Sequence, residues 1–205
     1  MSWYEEKILP RLINVACSTR PARRQREKLV PRARGDVLEI GFGSGLNLPY
    51  YDRARVRRIW GLEPSDGMRR LASDAIRRVP LEVELIDLPG EDIPLEDNSV
   101  DTVLVTYTLC TIPEAERALE GIRRVLKPEG ELLYCEHGKA PDPGVLKWQE
   151  RLNPVWKRFS GGCNIQRDIP AILGQSGFLV EDDNRMYLPG PRALSYNYWG
   201  AARIR

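Results

Sequence analysis

The chain has 205 residues, with 31 lysines and arginines against 29 aspartates and glutamates, so its formal net charge is +2. Hydrophobic residues make up 42% and charged residues 29%. This balance is typical of a globular protein and excludes a fibrous repeat or a largely disordered chain. No apolar run approaches the roughly 18 residues that span a bilayer, and the length favours one domain over residues 1–205.

The first 32 residues are predicted to form two helices. One face of the first helix carries an apolar stripe that consists of Trp3, Tyr4, Ile8, Leu12, Val15 and Ala16. Because such a stripe must be buried, we expect residues 1–34 to cover a ligand cleft as an N-terminal helical lid. The alternative is a helix on a membrane surface, which Lys7, Arg11 and the basic run 20–34 favour.

From residue 36 onward, short apolar segments alternate with helical ones. Strands are predicted at 36–41, 58–63, 81–86, 100–106 and 131–136. Helices are predicted at 66–79 and 115–126, the second one opened by a capping box of Thr111 and Glu114 and ended by Pro128 and Gly130. This alternation predicts an α/β fold whose mostly parallel sheet is covered by helices on both faces.

The C-terminal third departs from this alternation. Helices are predicted at 143–159 and 168–176, followed by two strand-like segments at 178–187 and 195–204. These two segments are too close together for a helical crossover. We therefore expect a hairpin that places an antiparallel strand in the sheet.

A glycine-rich segment follows the first strand and is the sharpest functional signal. Gly41, Gly43 and Gly45 let a backbone approach a ligand closely, and a helix after them is expected to offer free N–H groups. Glu63 ends the second strand, where a doubly wound nucleotide site places a carboxylate for ribose hydroxyls. The dinucleotide pattern GxGxxG fails, because leucines stand where its third glycine belongs.

These residues resemble the class I S-adenosylmethionine (SAM)-dependent methyltransferases. The resemblance rests on ExGxGxG at 39–45, EPSDGM at 63–68, PGEDIPLEDNSVD at 89–101 and RRVLKPEGELL at 123–133. It implies a Rossmann-like doubly wound sheet over residues 35–205 and SAM as the cofactor. The segments 108–138 and 148–168 are further similar to the methyltransferase-like group of small alkyl-thiol methyltransferases and their bacterial relatives.

The resemblance assigns cofactor-binding roles along the chain. The methionine and ribose part of SAM is expected at Glu39, Gly41, Gly43, Gly45 and Asn47, and its ribose diol at Glu63. Met68, Gly90 and Glu91 are expected beside the adenine. Thr106 and Leu109 are expected behind the methionine moiety.

Two residues are candidates on the acceptor side. His137, the only histidine, follows the fifth strand and is either a base or a hydrogen-bonded loop residue. Asn164 either orients an acceptor or caps a turn. An apolar acceptor pocket is expected for the aromatic residues Trp148, Trp156, Phe159, Tyr196 and Trp199, with ordinary core packing as the alternative for Trp148 and Trp156.

The four cysteines, Cys17, Cys110, Cys135 and Cys163, are widely spaced. No CxxC pair or His-rich spacing predicts a metal site, and the cysteines are interpreted as reduced thiols of a cytoplasmic protein. Basic residues are not interleaved with aromatic ones, which argues against nucleic acid as a partner.

A methyltransferase of a small, partly apolar acceptor, with a thiol favoured, is the function that the sequence supports. A quinol or lipid-amine methyltransferase and a non-catalytic SAM-binding module are the alternatives.

Overall fold

One sheet organises residues 8–205, the part of the chain that the computed structural model describes. Its strands in chain order are β1 (Gly35–Ile40), β2 (Val56–Leu62), β3 (Glu82–Ile86), β4 (Val100–Thr106), β5 (Leu126–His137), β6 (Phe178–Tyr187) and β7 (Tyr196–Ile204). They lie in the order β3-β2-β1-β4-β5-β7-β6. Strand β7 runs in the direction opposite to the other six strands, which confirms the predicted doubly wound sheet with an antiparallel C-terminal strand.

Helices cover both faces of this sheet. The described residues form α1 (Leu9–Cys17), α2 (Arg20–Leu29), α3 (Asp66–Ile76), α4 (Ala115–Val125), α5 (Pro143–Phe159), α6 (Ile169–Gln175) and the short α7 (Arg192–Ser195). Val103 and Val105 of β4 pack in a cluster with residues of α4 and α6, whereas Leu104 packs in a second cluster with Leu29 of α2 and Ala72 of α3. Successive strand side chains point to opposite faces, so β4 is apolar at nearly every position.

The connection from β1 to β2 contains no α-helix, contrary to the prediction of a helix after Gly45. Residues 41–55 form turns and a 3₁₀ turn over Leu48–Tyr50. Pro49 lacks a backbone N–H, and the Asn47 side chain donates to Glu39 Oε1 and Thr106 Oγ1 instead of capping a helix. The segment is therefore held by side-chain hydrogen bonds to the sheet.

The start of α4 also differs from the prediction. Glu114 is its N-cap residue but makes no side-chain capping bond, and Thr111 Oγ1 donates to the Thr108 carbonyl at 2.7 Å. The predicted capping box is therefore wrong, because Thr111 belongs to the preceding turn. After α4 the strand β5 begins at once at Leu126, earlier than predicted, since Leu126 pairs with Val100.

The first helix presents a different face from the predicted one. Leu12 and Val15 are 54% and 67% exposed, whereas Pro10 is buried. The apolar stripe was assigned to the wrong face because α1 has apolar residues on more than one side. Trp3 and Tyr4, predicted on the same stripe, lie outside the described residues. Within residues 8–205 no helix is long and apolar enough to cross a membrane.

Candidate active site

A cavity of about 600 Å³ lies where β1, β2 and β4 end. It is lined by the glycine-rich segment after β1, by residues just past β2 and β4, and by the loop after β3. Helix α1 covers it with Leu9, Pro10, Ile13, Asn14 and Cys17. Because doubly wound sheets bind ligands at the carboxyl ends of their strands, this cavity is the candidate cofactor site.

Glu63 lies on the wall of this cavity and is 7% exposed. Its Oε2 accepts a hydrogen bond from the Gly43 N–H at 2.8 Å and its Oε1 accepts one from the Ser65 N–H at 2.9 Å. Each oxygen retains acceptor capacity for a ligand. Burial raises the pKa of Glu63, and the two N–H groups oppose that rise. This carboxylate fits a ligand that donates two hydroxyl hydrogens.

Two of the three predicted glycines line the cavity. Gly41 has a φ of +70°, and a Cβ there would fall 2.1 Å from Thr108 Oγ1, so only glycine fits. Gly43 has a φ of +59°, and the nearest atom to a Cβ there would be the Gly41 carbonyl oxygen at 3.9 Å. The space beside Gly43 is therefore open for a ligand. Gly45 is not on the cavity wall and packs against Leu48.

Asn47 is the centre of a buried polar cluster behind the glycines. Its amide donates to Glu39 Oε1 at 2.8 Å and Thr106 Oγ1 at 3.0 Å, and its oxygen accepts from Arg26 Nε at 3.0 Å. Glu39 also accepts from the Tyr51 hydroxyl at 2.7 Å. Asn47 and Thr106 line the cavity, but Glu39 lies behind it. Burial raises the pKa of Glu39 to about 7, against the effect of the Tyr51 and Asn47 hydrogen bonds.

Of the remaining predicted cofactor residues, some line the cavity and one does not. Met68, Gly90 and Glu91 line the cavity. A Cβ on Gly90 would lie 2.7 Å from a methyl group of Ile40, so glycine is required there for packing. Leu109 does not line the cavity, because its side chain is fully buried in the core.

His137 lines a second, smaller cavity of about 160 Å³ and is absent from the wall of the first. Tyr107 and Cys17 line both cavities, so the two spaces are neighbours. The Tyr107 ring lies 4.8 Å from the His137 ring, and the Arg26 guanidinium lies 5.4 Å from the Tyr107 centroid. A group bound in the second cavity would therefore meet the first cavity beside Tyr107.

Asn164 lies outside both cavities. Its side-chain oxygen accepts from Asn153 Nδ2 at 3.0 Å and the Gln166 N–H at 3.1 Å, and its N–H donates to the Cys110 carbonyl at 2.8 Å. These bonds fix the turn after α5 and leave Asn164 away from the candidate site. The structure thus favours the turn-holding alternative over the orientation of an acceptor.

The predicted aromatic acceptor pocket does not form. Trp148 and Phe159 are 58% and 62% exposed, because they lie on the outer side of α5, so the alternative of core packing is also wrong for Trp148. None of the five predicted aromatic residues lines either cavity. Cys110 and Cys163 are buried, and their sulfurs lie 3.5 Å apart.

Arg26, Tyr51 and Tyr107 are site residues that the sequence analysis missed. Arg26 is 4% exposed and also donates to the Cys17 carbonyl at 2.6 Å, joining α2 to α1. One local signal could have found Arg26, because it falls on the same helix face as the buried Ala22 and Leu29. A cation on a buried helix face needs a partner in the interior.

The chain is similar to known methyltransferases. A family profile described as a methyltransferase domain matches residues 38–134. Human thiol S-methyltransferase TMT1B is 31% identical over 137 residues, which is 64% of this chain and 55% of the relative. Phosphatidylethanolamine N-methyltransferase of Cereibacter sphaeroides is 33% identical over 119 residues, 57% of each chain. The matches span little more than half the length of these curated relatives.

A solved structure shares the fold. A SAM-dependent methyltransferase from Aquifex aeolicus superposes with a TM-score of 0.64 and 21% identity, covering 97% of this chain and 100% of the other. The cavity at the carboxyl ends of the strands thus occurs in a fold that supports SAM-dependent chemistry.

Proposed function

We propose that this chain is a class I SAM-dependent methyltransferase that transfers a methyl group from SAM to a small, partly apolar acceptor, with a thiol favoured. The observation that carries the proposal is the buried Glu63 carboxylate, which accepts from the backbone N–H groups of Gly43 and Ser65 at a cavity that Gly43 leaves open. SAM is a nucleoside with a ribose diol and no phosphate, and a carboxylate that can accept from both hydroxyls suits it.

The residues present fit the cofactor. Glu63 would accept from the ribose hydroxyls, the backbones of Gly41 and Gly43 would pass along its methionine end, and Met68 and Gly90 would flank the adenine. When bound, SAM supplies an electrophilic methyl group on a positively charged sulfur. The protein's task is then to hold an acceptor in line with that group, and alignment of this kind accounts for roughly 7–11 kcal/mol of a reaction barrier.

We place the acceptor in the second cavity, beside Tyr107 and His137. This cavity adjoins the cofactor space through Tyr107 and Cys17. Residues 8–205 hold no cluster of three potential metal ligands, and His137 is the imidazole nearest the proposed acceptor. A site with few groups able to act as a general acid or base suits a nucleophile that is already partly ionised. A free thiol meets this condition, because its pKa is about 8.5.

An acceptor panel tests this assignment. Alkyl thiols are expected to give S-adenosylhomocysteine faster than phenols, quinols or lipid amines of similar size, with a rate that rises towards the thiol pKa. His137→Ala is expected to lower the thiol rate by less than the 10²–10⁴-fold typical of an essential general base. Release of S-adenosylhomocysteine is the measurement. Product from a quinol or lipid amine and none from any thiol would remove sulfur as the acceptor atom.

A lipid amine is the second candidate acceptor, because phosphatidylethanolamine N-methyltransferase of Cereibacter sphaeroides is among the relatives at 33% identity. A quinol and a non-catalytic SAM-binding role are further alternatives. SAM binding without turnover of any acceptor in the panel would favour the non-catalytic role.

We also propose that residues 1–34 act as a lid on a core of residues 35–205 within one domain. The support comes from α1, since Leu9 and Ile13 line the cofactor cavity and Asn14 Oδ1 accepts from Ser44 Oγ at 2.5 Å. A lid of this kind excludes water from the reaction.

A matched pair of substitutions on α1 tests the lid. Ile13→Ser is expected to weaken S-adenosylhomocysteine binding about tenfold, because burial of an isoleucine side chain is worth about 1.5–3 kcal/mol. Leu12→Ser, at an exposed position one residue away, is expected to leave it unchanged. Calorimetry on both variants is the measurement, and equal affinities would exclude a covering role for this face of α1.

A cytoplasmic location completes the proposal. Cys17, Cys110, Cys135 and Cys163 are all free thiols, as expected in a reducing compartment.

A further inference from the structure

The segment between β4 and α4, residues 107–112, is held from both sides by charged side chains that lie far away in sequence. Its Tyr107, Thr108, Thr111 and Ile112 line the cofactor cavity, and Tyr107 also lines the second cavity. Tyr107 has a φ of 56°, a left-handed conformation that a bulky residue adopts at a cost of about 1–3 kcal/mol. Something must therefore keep this segment in place.

Glu136 holds the N–H groups of the segment. Its Oε1 accepts from the N–H groups of Thr108 and Leu109 at 2.8 and 3.1 Å, and its Oε2 accepts from that of Cys110 at 3.1 Å. The Glu136 side chain is fully buried near the end of β5. One carboxylate thus binds three consecutive N–H groups in the wall of the site.

Arg167 holds the carbonyl groups of the same segment. Its Nη1 donates to the carbonyl of Leu109 and to that of Ile112, the latter at 2.7 Å. The N–H of Asn164 donates to the Cys110 carbonyl at 2.8 Å. The segment is therefore clamped between β5 and the turn after α5, and this clamp of Glu136 and Arg167 fixes where Tyr107 meets the two cavities.

We propose that Glu136 and Arg167 are positioning residues that hold residues 107–112 in the geometry needed for cofactor and acceptor, and that the buried Glu136 charge serves the site at the expense of stability. The inference rests on the proposed function for the ligand's identity. The clamp itself rests on hydrogen bonds within the chain.

The cost of the charge follows from its environment. Burial raises the pKa of Glu136 to about 7, although the three N–H groups act in the opposite direction. A carboxyl group whose pKa is raised on folding binds an extra proton in the folded state, so the stability it contributes falls as the pH rises from about 4.5 to about 7. Above about pH 7 the ionised Glu136 therefore stabilises the fold less than its protonated form does.

Substitution of Glu136 by glutamine distinguishes a role in positioning residues 107–112 from a role in the stability of the fold. In Glu136→Gln the amide NH₂ faces a backbone N–H, so the hydrogen bond to Cys110 is lost, and a bond to a charged group is worth about 1.5–3 kcal/mol. We expect amide exchange at residues 108–110 to accelerate at least tenfold and S-adenosylhomocysteine affinity to fall about tenfold or more. The unfolding midpoint at pH 8 is expected to be unchanged or higher, which a merely structural residue would not give.

Glu131→Gln on the same strand is the matched control, since Glu131 forms a long ion pair with Arg34, at 3.7 Å. Hydrogen exchange, calorimetry with S-adenosylhomocysteine and thermal unfolding are measured on all variants. Unchanged exchange and affinity in Glu136→Gln, or a lowered midpoint in parallel with lowered affinity, would overturn the proposal. If Glu136→Gln does not fold, Arg167→Lys must show the same selective loss. A wild-type chain that fails to bind S-adenosylhomocysteine refutes the proposed function, while the exchange measurement still decides on the clamp.

Discussion

Glu63→Ala is expected to weaken SAM binding about tenfold to a hundredfold. The Glu63 carboxylate already accepts from two backbone N–H groups, and its remaining acceptor capacity faces the ribose in the proposed complex. Loss of a hydrogen bond to a charged group costs about 1.5–3 kcal/mol. Calorimetric titration of the folded variant with SAM measures the effect.

The control for this substitution is Glu82→Ala. Glu82 lies on the neighbouring strand β3, its side chain is 71% exposed, and it forms a long ion pair with Arg58 at 3.9 Å. SAM affinity should not change in this variant. Equal affinity of wild type and Glu63→Ala would remove Glu63 from the ribose site.

Gly43→Val is expected to abolish detectable SAM binding, a larger effect than that of Glu63→Ala. The protein leaves free space beside Gly43, so the valine side chain would occupy the volume that the ligand needs. The positive φ adds strain of about 1–3 kcal/mol, which lowers stability without blocking the site. Binding is measured by calorimetry, and folding by circular dichroism.

Gly177→Val is the control that distinguishes the effect of backbone strain from the effect of a blocked cofactor cavity. Gly177 also has a positive φ, of +83°, and a Cβ there would meet only the flexible end of Arg123, away from either cavity. This variant should lose stability and keep SAM affinity. If Gly43→Val binds SAM as well as Gly177→Val does, the cofactor does not pass beside Gly43.

The order of strands and helices was predictable because most elements carry a local pattern. The apolar β4 and the regular spacing along α4 are strong signals of this kind. The face of α1 was not predictable, since Leu12 and Ile13 are both apolar and only tertiary contacts decide which is buried. The capping box failed for a related reason, because the contacts of the 107–112 segment override the local preference of Thr111.

The residues of the candidate site likewise fall into those that local sequence could predict and those that depend on tertiary contacts. Glu63 and Gly43 follow directly after strands in the sequence, so their meeting at one sheet edge could be expected from the fold alone. Arg26, Glu136 and Arg167 act through contacts with residues distant in sequence. The sequence left two roles open for Asn164, orienting an acceptor or capping a turn, because its position depends on contacts with Asn153 and the turn after α5.

The short connection between β1 and β2 has an electrostatic consequence. A helix N-terminus carries about half a positive charge, which suits phosphate ligands. Residues 41–55 form only turns and one 3₁₀ turn, so the connection after β1 does not direct the positive end of an α-helix into the site. The carboxyl groups of Glu63 and Glu39 lie nearby instead. In the proposed complex the ribose hydroxyls of SAM would therefore meet the Glu63 carboxylate rather than the positive end of a helix, which suits a ligand that carries no phosphate.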